Sequence, residues 1–98
     1  MDVDWLERHT SQAPSVLRAR VLEHAAAASG PSLPDALAAA AHSALTRVLS
    51  HSGDRSVALD LLAADALITL ALLAQAEAAP EQLEQFACSV LQARQSAL

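Results

Sequence analysis

Residues 57–74, VALDLLAADALITLALLA, decide the fold of this chain. The stretch is apolar on almost every face of a helix, and such a helix is normally buried on several sides. It is nearly long enough to span a bilayer, but Asp60 and Asp65 interrupt it, and each aspartate near mid-membrane costs roughly 2.5 to 3.5 kcal/mol. We therefore predict the central helix of a small soluble bundle, with no transmembrane segment.

The length and composition of the chain indicate one folded domain. Its 98 residues leave no room for a second core, and 53% hydrophobic with 17% charged residues is unlike a disordered chain. Much of the apolar content is alanine, which favours helices but buries little area. We therefore predict that the core depends on the few large apolar side chains. These are Trp5, Leu17, Val21, Leu37, Leu45, Leu49, Leu61, Leu62, Leu67, Ile68, Leu83, Phe86, Val90 and Leu91.

Capping residues, prolines and glycines divide the chain into an N-terminal arm, residues 1–12, and a four-helix domain, residues 13–98. In the arm, Asp4 followed by Glu7 predicts a capping box that begins a short helix and docks Trp5 on the bundle. The predicted helices are A, residues 14 to about 29; B, from the cap Ser32 to about 49; C, from the cap Asp54 to about 77; and D, residues 80 to about 93. Short connections favour antiparallel neighbours, and strand-like alternation is absent. The predicted fold is an all-α, up-down four-helix bundle with a short N-terminal helical arm.

The charge of the chain argues against nucleic-acid binding. The net charge is -5, lysine is absent, and of the arginines only Arg18 and Arg20 stand close together. Asp2 and Asp4 stand where a secretory signal would carry positive charge, and no apolar segment follows them, which predicts a cytoplasmic protein. Cys88 is the single cysteine, and its place in a helical apolar pattern predicts a buried, inert thiol.

No two of the four histidines have the i, i+4 spacing that holds a metal on one helix face. A metal site would therefore need residues from separate helices, and one candidate set exists. An antiparallel pairing of helices A and B could bring His24 and His42 together, and Asp60 or Asp65 would complete a set suited to zinc or iron. The interpretation we favour is that both histidines are half-exposed, with His24 near the negative end of its helix. We accordingly expect no metal and no cofactor, with His24, His42 and Asp65 as the rival metal set.

Asp60 and Asp65 are separated by about 140° around helix C, so a catalytic carboxylate pair is not indicated. Asp65 interrupts the most apolar part of the chain, and we predict that it is partly buried and paired with Arg47, Arg18 or the hydroxyl of Thr69. A solvent-facing position and a role in ligand contact are the alternatives. Asp60 is nearer the start of the helix and is predicted to lie closer to solvent.

Residues 61–71, LLAADALITLA, resemble a helix of the trans-prenyl diphosphate synthases, an all-helical family. The resemblance covers about a tenth of the chain. That family holds magnesium and its substrate diphosphate with aspartate-rich DDxxD motifs, and this sequence contains neither motif. The resemblance therefore implies a helix and does not imply prenyl transfer.

The sequence favours a binding role over catalysis. Gly30 and Gly53 are isolated, so there is no glycine-rich phosphate loop, and the chain has no tyrosine and no recognisable Ser/His/Asp arrangement. Alanine-rich helix surfaces and a large apolar fraction predict a non-catalytic protein-interaction or assembly module that self-associates through helices C and D. The rival is a small-molecule or metal-binding bundle that uses His24, His42 and a helix C aspartate. An accessory subunit of a larger complex is a third possibility.

Overall fold

The computed structural model describes residues 2–51 and 53–97, which form five α-helices and a short 3₁₀ turn without any strand. The helices are α1 (Val3–His9), α2 (Ser15–Ala27), α3 (Leu33–Leu49), α4 (Arg55–Ala78) and α5 (Leu83–Ala97), with the 3₁₀ turn at Pro80–Gln82. This arrangement confirms the predicted all-α bundle with a short N-terminal helix.

Two of the predicted caps begin helices as expected. The Ser32 hydroxyl accepts a hydrogen bond of 3.3 Å from the backbone N–H of Asp35 at the start of α3. Asp54 accepts one of 2.9 Å from the N–H of Val57 at the start of α4. Each bond satisfies a backbone donor that has no partner within the first helical turn.

Helix α1 begins earlier than predicted. Asp2 is its cap and accepts a 3.0 Å hydrogen bond from the N–H of Trp5, whereas the predicted cap, Asp4, lies in the first turn. A carboxylate is favourable at either place because both lie at the positive end of the helix dipole. Two C-terminal helix ends also differ from the prediction. Helix α2 ends at Ala27 and is shorter than predicted, and α5 continues to Ala97 and is longer.

The core is centred on α3 and α4, which run antiparallel and pack mainly through alanine. The buried alanines are Ala36, Ala40, Ala41 and Ala44 of α3 and Ala63, Ala64, Ala71 and Ala74 of α4. Small side chains let the two helices approach closely, since the distance between helix axes depends on the side chains at the contact. The pair also buries Leu37 of α3 and Leu67 of α4, and Leu6 of α1 and Val21 of α2 are buried beside it.

The size-based prediction of the core is therefore wrong for several leucines. Leu49, Leu61, Leu62 and Leu91 are 51–55% exposed. The reason is geometric: the buried side of α4 carries Ala63, Ala64, Leu67, Ala71 and Ala74, and Leu61 and Leu62 lie on other sides of the helix. Apart from Leu67, the buried apolar residues of α4 are alanines.

The N-terminal arm is docked as predicted. Trp5 is 8% exposed, and its indole N–H donates a 2.9 Å hydrogen bond to a carboxylate oxygen of Glu77 near the end of α4. The indole also stacks on the His9 ring, with 3.9 Å between ring centroids. An aromatic side chain with its polar atom satisfied is well suited to anchor a short helix.

Helix α4 is strongly apolar, but the rest of the chain buries only part of it. Within the described residues it is the one helix long and apolar enough to cross a membrane by length and composition, a test that the core helix of a soluble protein also passes. Its most apolar stretch has a mean hydropathy of 2.1, yet only 33% of that stretch is buried. Leu61, Leu62 and Leu73 of this helix remain exposed in the single chain.

Candidate interaction surface

An ionic cluster around Asp60 joins α2, α3 and α4. One carboxylate oxygen, Oδ1, accepts hydrogen bonds of 2.6 Å from Arg20 Nη1 and 2.9 Å from His24 Nε2. The other, Oδ2, lies 3.6 Å from Arg47 Nε. Asp60 is 1% exposed and His24 is 7% exposed, so the centre of the cluster is shielded from water.

The environment of Asp60 favours its charged form. Burial by itself raises the pKa of this carboxyl, but the hydrogen bonds and charges of His24 and Arg20 outweigh burial and hold the pKa below its ordinary value of 3.8. An ionised carboxylate that is hydrogen-bonded to two side chains of a neighbouring helix has a structural role.

The predicted positions of the two aspartates are reversed in the structure. Asp60, expected near solvent, is buried and paired, whereas Asp65, expected to be buried and paired, is exposed. The partners proposed on α3 and α4 bond other atoms than the Asp65 carboxylate. Arg47 pairs with Asp60, and the Thr69 hydroxyl donates a 3.0 Å hydrogen bond to the backbone carbonyl of Asp65. Rotation of α4 explains the exchange, since residues five apart point to different sides of a helix.

His24 is also corrected. It is buried and donates to Asp60, whereas the sequence suggested a half-exposed histidine near the helix end. His42 is exposed. The structure therefore does not bring His24, His42 and Asp65 into one metal site, and within the described residues no three histidine, cysteine or acidic side chains form such a group.

A groove between α3, α4 and α5 brings two of those residues together. It has a volume of about 490 Å³, and His42 from α3 and Asp65 from α4 lie on its lining. The rest of the lining is apolar and includes Leu61, Ile68 and Leu91. The groove is thus an open apolar surface with two polar side chains.

A second apolar surface runs along α4 and is called here the outward stripe. It consists of Arg55, Leu59, Leu62, Ala66, Leu70, Leu73 and Glu77. Steps of three and four residues place all of them on one side of the helix. Leu62 and Leu73 are 55% and 39% exposed, and the three apolar residues between and beside them are half-buried. Ala66 and Leu70 also pack against the core, so the stripe is exposed mainly at Leu62, Leu73 and its charged ends, beside the face of α4 that carries Asp65 and Thr69.

The outward stripe was not singled out by the sequence reasoning. The signal was present in the spacing of the residues, but an apolar helix shows several such rows, and sequence alone does not say which row remains uncovered. Cys88 illustrates the same difficulty on α5, because it is exposed where a buried thiol was predicted.

Comparison of the chain with protein-family models, curated proteins and solved structures finds no match. The resemblance of residues 61–71 to a helix of the trans-prenyl diphosphate synthases gains no support from these comparisons.

Proposed function

We propose that this chain is a non-catalytic, cytoplasmic protein-interaction module that self-associates through the exposed surface of α4 and the adjoining edge of α5. The observation that carries the proposal is that the rest of the chain covers α4 incompletely. Only 33% of the most apolar stretch of this helix is buried. Burial of apolar surface is the main force in protein association, at roughly 25 cal/mol per Å². A partner that covers Leu61, Leu62 and Leu91 removes from water side chains that are about half exposed in the single chain.

The buried ionic cluster around Asp60 has a structural role. Asp60, the buried carboxylate of α4, is bonded to Arg20 and His24, so its charge is used to join helices. The features available for function therefore lie on the outside of α4 and α5.

A protein partner fits this surface better than a lipid bilayer does. The chain has a net charge of -5, and anionic membranes attract basic segments. Insertion of α4 would also move Asp60 and Asp65 into lipid, at roughly 2.5 to 3.5 kcal/mol for each aspartate.

The test of self-association is the mass in solution of the wild type and two matched variants. Leu62→Glu places a charge on the outward stripe, and Val16→Glu places the same charge at a 65% exposed position on α2. We expect wild type and Val16→Glu to associate at micromolar concentration and Leu62→Glu to remain a monomer. Monomeric wild type at every concentration would refute the proposal, as would association that Leu62→Glu leaves unchanged.

A second candidate function, small-molecule binding, is favoured by the groove. Its volume of about 490 Å³ falls within the roughly 300–1,000 Å³ of ligand pockets, and His42 and Asp65 supply polar groups. Titration with an apolar fluorescent probe tests this function in wild type and in Ala87→Trp, which fills the groove. The matched control is Ala39→Trp at an exposed position of α3. Saturable binding that only Ala87→Trp abolishes supports a ligand site, and binding that both variants retain contradicts it.

A further inference from the structure

We infer that the occupant of the outward stripe is a second copy of this chain, whose α4 packs antiparallel to the first about a two-fold axis at Ala66. The inference rests on the proposed self-association and places its two-fold contact on α4 alone, without the edge of α5. A two-fold contact uses the same patch on both subunits, so the patch must be complementary to itself when reversed. The outward stripe meets that requirement in spacing, residue type and charge.

The spacing of the stripe is the same in both directions from Ala66. Counting outward, leucines follow at four and seven residues on each side, and a charged residue closes each end at eleven residues. Under the proposed axis, Leu62 lies opposite the partner's Leu70, and Leu59 lies opposite the partner's Leu73. Alanine at the axis permits close approach of the two helices, and leucines pair on both sides of it.

The charges at the ends of the stripe select the antiparallel direction. Arg55 is exposed at the start of α4. Glu77 near its end accepts the hydrogen bond from Trp5 and lies 4.0 Å from His9, but its side chain is still 51% exposed. In the antiparallel arrangement Arg55 lies opposite the partner's Glu77 at both ends. In a parallel arrangement each residue would face its own copy, and like charges would oppose one another.

The size of the stripe sets the expected affinity of the dimer. It is about 33 Å long at 1.5 Å per residue, but it supplies far fewer residues than the roughly 20–30 per side of a standard interface. The contact therefore belongs at the lower end of specific interfaces. We expect a reversible dimer with a Kd on the order of micromolar.

Disulfide trapping tests the geometry in a Cys88→Ser background, because the native thiol is exposed. Helix axes about 8–10 Å apart, with Cα atoms about 2.3 Å from each axis, bring facing Cα atoms within disulfide range at the two-fold axis. Ala66→Cys is therefore expected to form a covalent dimer under mild oxidation. Leu73→Cys is the control, since its two copies would lie about 21 Å apart along the axis and are expected to remain unlinked.

Mixing two further variants, Leu62→Cys and Leu70→Cys, checks the register. We expect the mixed disulfide to exceed either self-linked species, because positions 62 and 70 face each other only across the antiparallel contact. Sedimentation with the same proteins separates the two levels of the proposal. Dimers that link at 73 and not at 66 would overturn the antiparallel geometry and leave self-association standing. Monomers throughout would overturn both, and monomers that bind lipid vesicles through α4 would assign the stripe to a membrane.

Charge reversal gives an independent readout. Arg55→Glu places two acidic residues against each other at both ends of the dimer, and we expect it to raise the Kd by about 2- to 30-fold. Arg8→Glu makes the same charge change at an exposed position on α1 and is expected to leave the Kd unchanged. Equal effects of the two variants would show that net charge, and not the pairing of Arg55 with the partner's Glu77, controls association.

Discussion

Replacing Asp60 with alanine should be among the most damaging single changes to this fold. The carboxylate is 1% exposed and is hydrogen-bonded to Arg20 and His24, whose side chains are 20% and 7% exposed. Removing one partner of a buried ion pair typically costs about 3–5 kcal/mol, because the other charge stays buried without compensation. Arg47 adds little, since its side chain is 52% exposed and solvent screens the interaction.

Arg20 can limit the loss, because it already reaches the Ser56 oxygens at 3.4 Å. We therefore expect a cost near the lower end, about 3 kcal/mol, which is a large share of the roughly 5–15 kcal/mol that stabilises a typical domain.

Urea unfolding followed by circular dichroism measures the cost, with Asp65→Ala as the matched control. With a slope of about 1–3 kcal/mol per molar urea, the midpoint of Asp60→Ala should fall by at least about 1 M. Asp65→Ala should stay within about 0.5 kcal/mol of wild type, because Asp65 is exposed. Equal losses in the two variants, or a larger loss from Asp65→Ala, would refute the assignment of Asp60 as the ionic centre.

Three other expectations concern the same fold. The stability contributed by Asp60 should be complete above its ordinary pKa of 3.8 and be lost as the pH falls through the lower pKa that it has in the folded chain. Acid titration of wild type and Asp60→Asn checks this. A difference in stability between the two proteins that stays constant across that pH range would contradict it. Trp5 should show blue-shifted, poorly quenched fluorescence, and Trp5→Ala should cost about 3–5 kcal/mol, whereas solvent-like emission would contradict docking of the arm. Gly30→Ala should cost about 1–3 kcal/mol in urea unfolding, because the added Cβ would lie 2.8 Å from the backbone N of Ala36. The control, Gly53→Ala, has no atom within 4 Å of the added Cβ and should be neutral or slightly stabilising, so equal losses would contradict the close approach.

The helix starts at α3 and α4 were predictable because cap bonds are local. Ser32 and Asp54 each bond a backbone N–H three residues later, so the interaction is contained in a short stretch of sequence. The all-α class followed from the same punctuation and from the helical spacing of apolar residues.

The rotation of α4 was not predictable from its own residues. Leucine and alanine occupy every side of this helix, so no polar face marks the direction of solvent. Asp60 faces the interior because Arg20 and His24 of α2 and Arg47 of α3 converge on it, and that convergence depends on tertiary structure. Without it, the more central aspartate, Asp65, was the natural but incorrect choice.

Side-chain size was also a poor guide to burial in this chain. Leucines 61 and 62 are exposed, whereas alanines 63 and 64, next to them in the sequence, are buried. Close helix packing selects small residues for the contact. The same selection leaves leucine outside, which explains why the candidate interaction surface became visible only in the structure.

Sedimentation equilibrium of the wild-type chain from submicromolar to submillimolar concentration is the most direct test of self-association through α4. We expect the mass to rise from that of the 10.2 kDa monomer to that of a dimer, and Leu62→Glu to suppress the rise. A mass that stays at 10.2 kDa over the whole range would contradict the claim that a second copy covers α4.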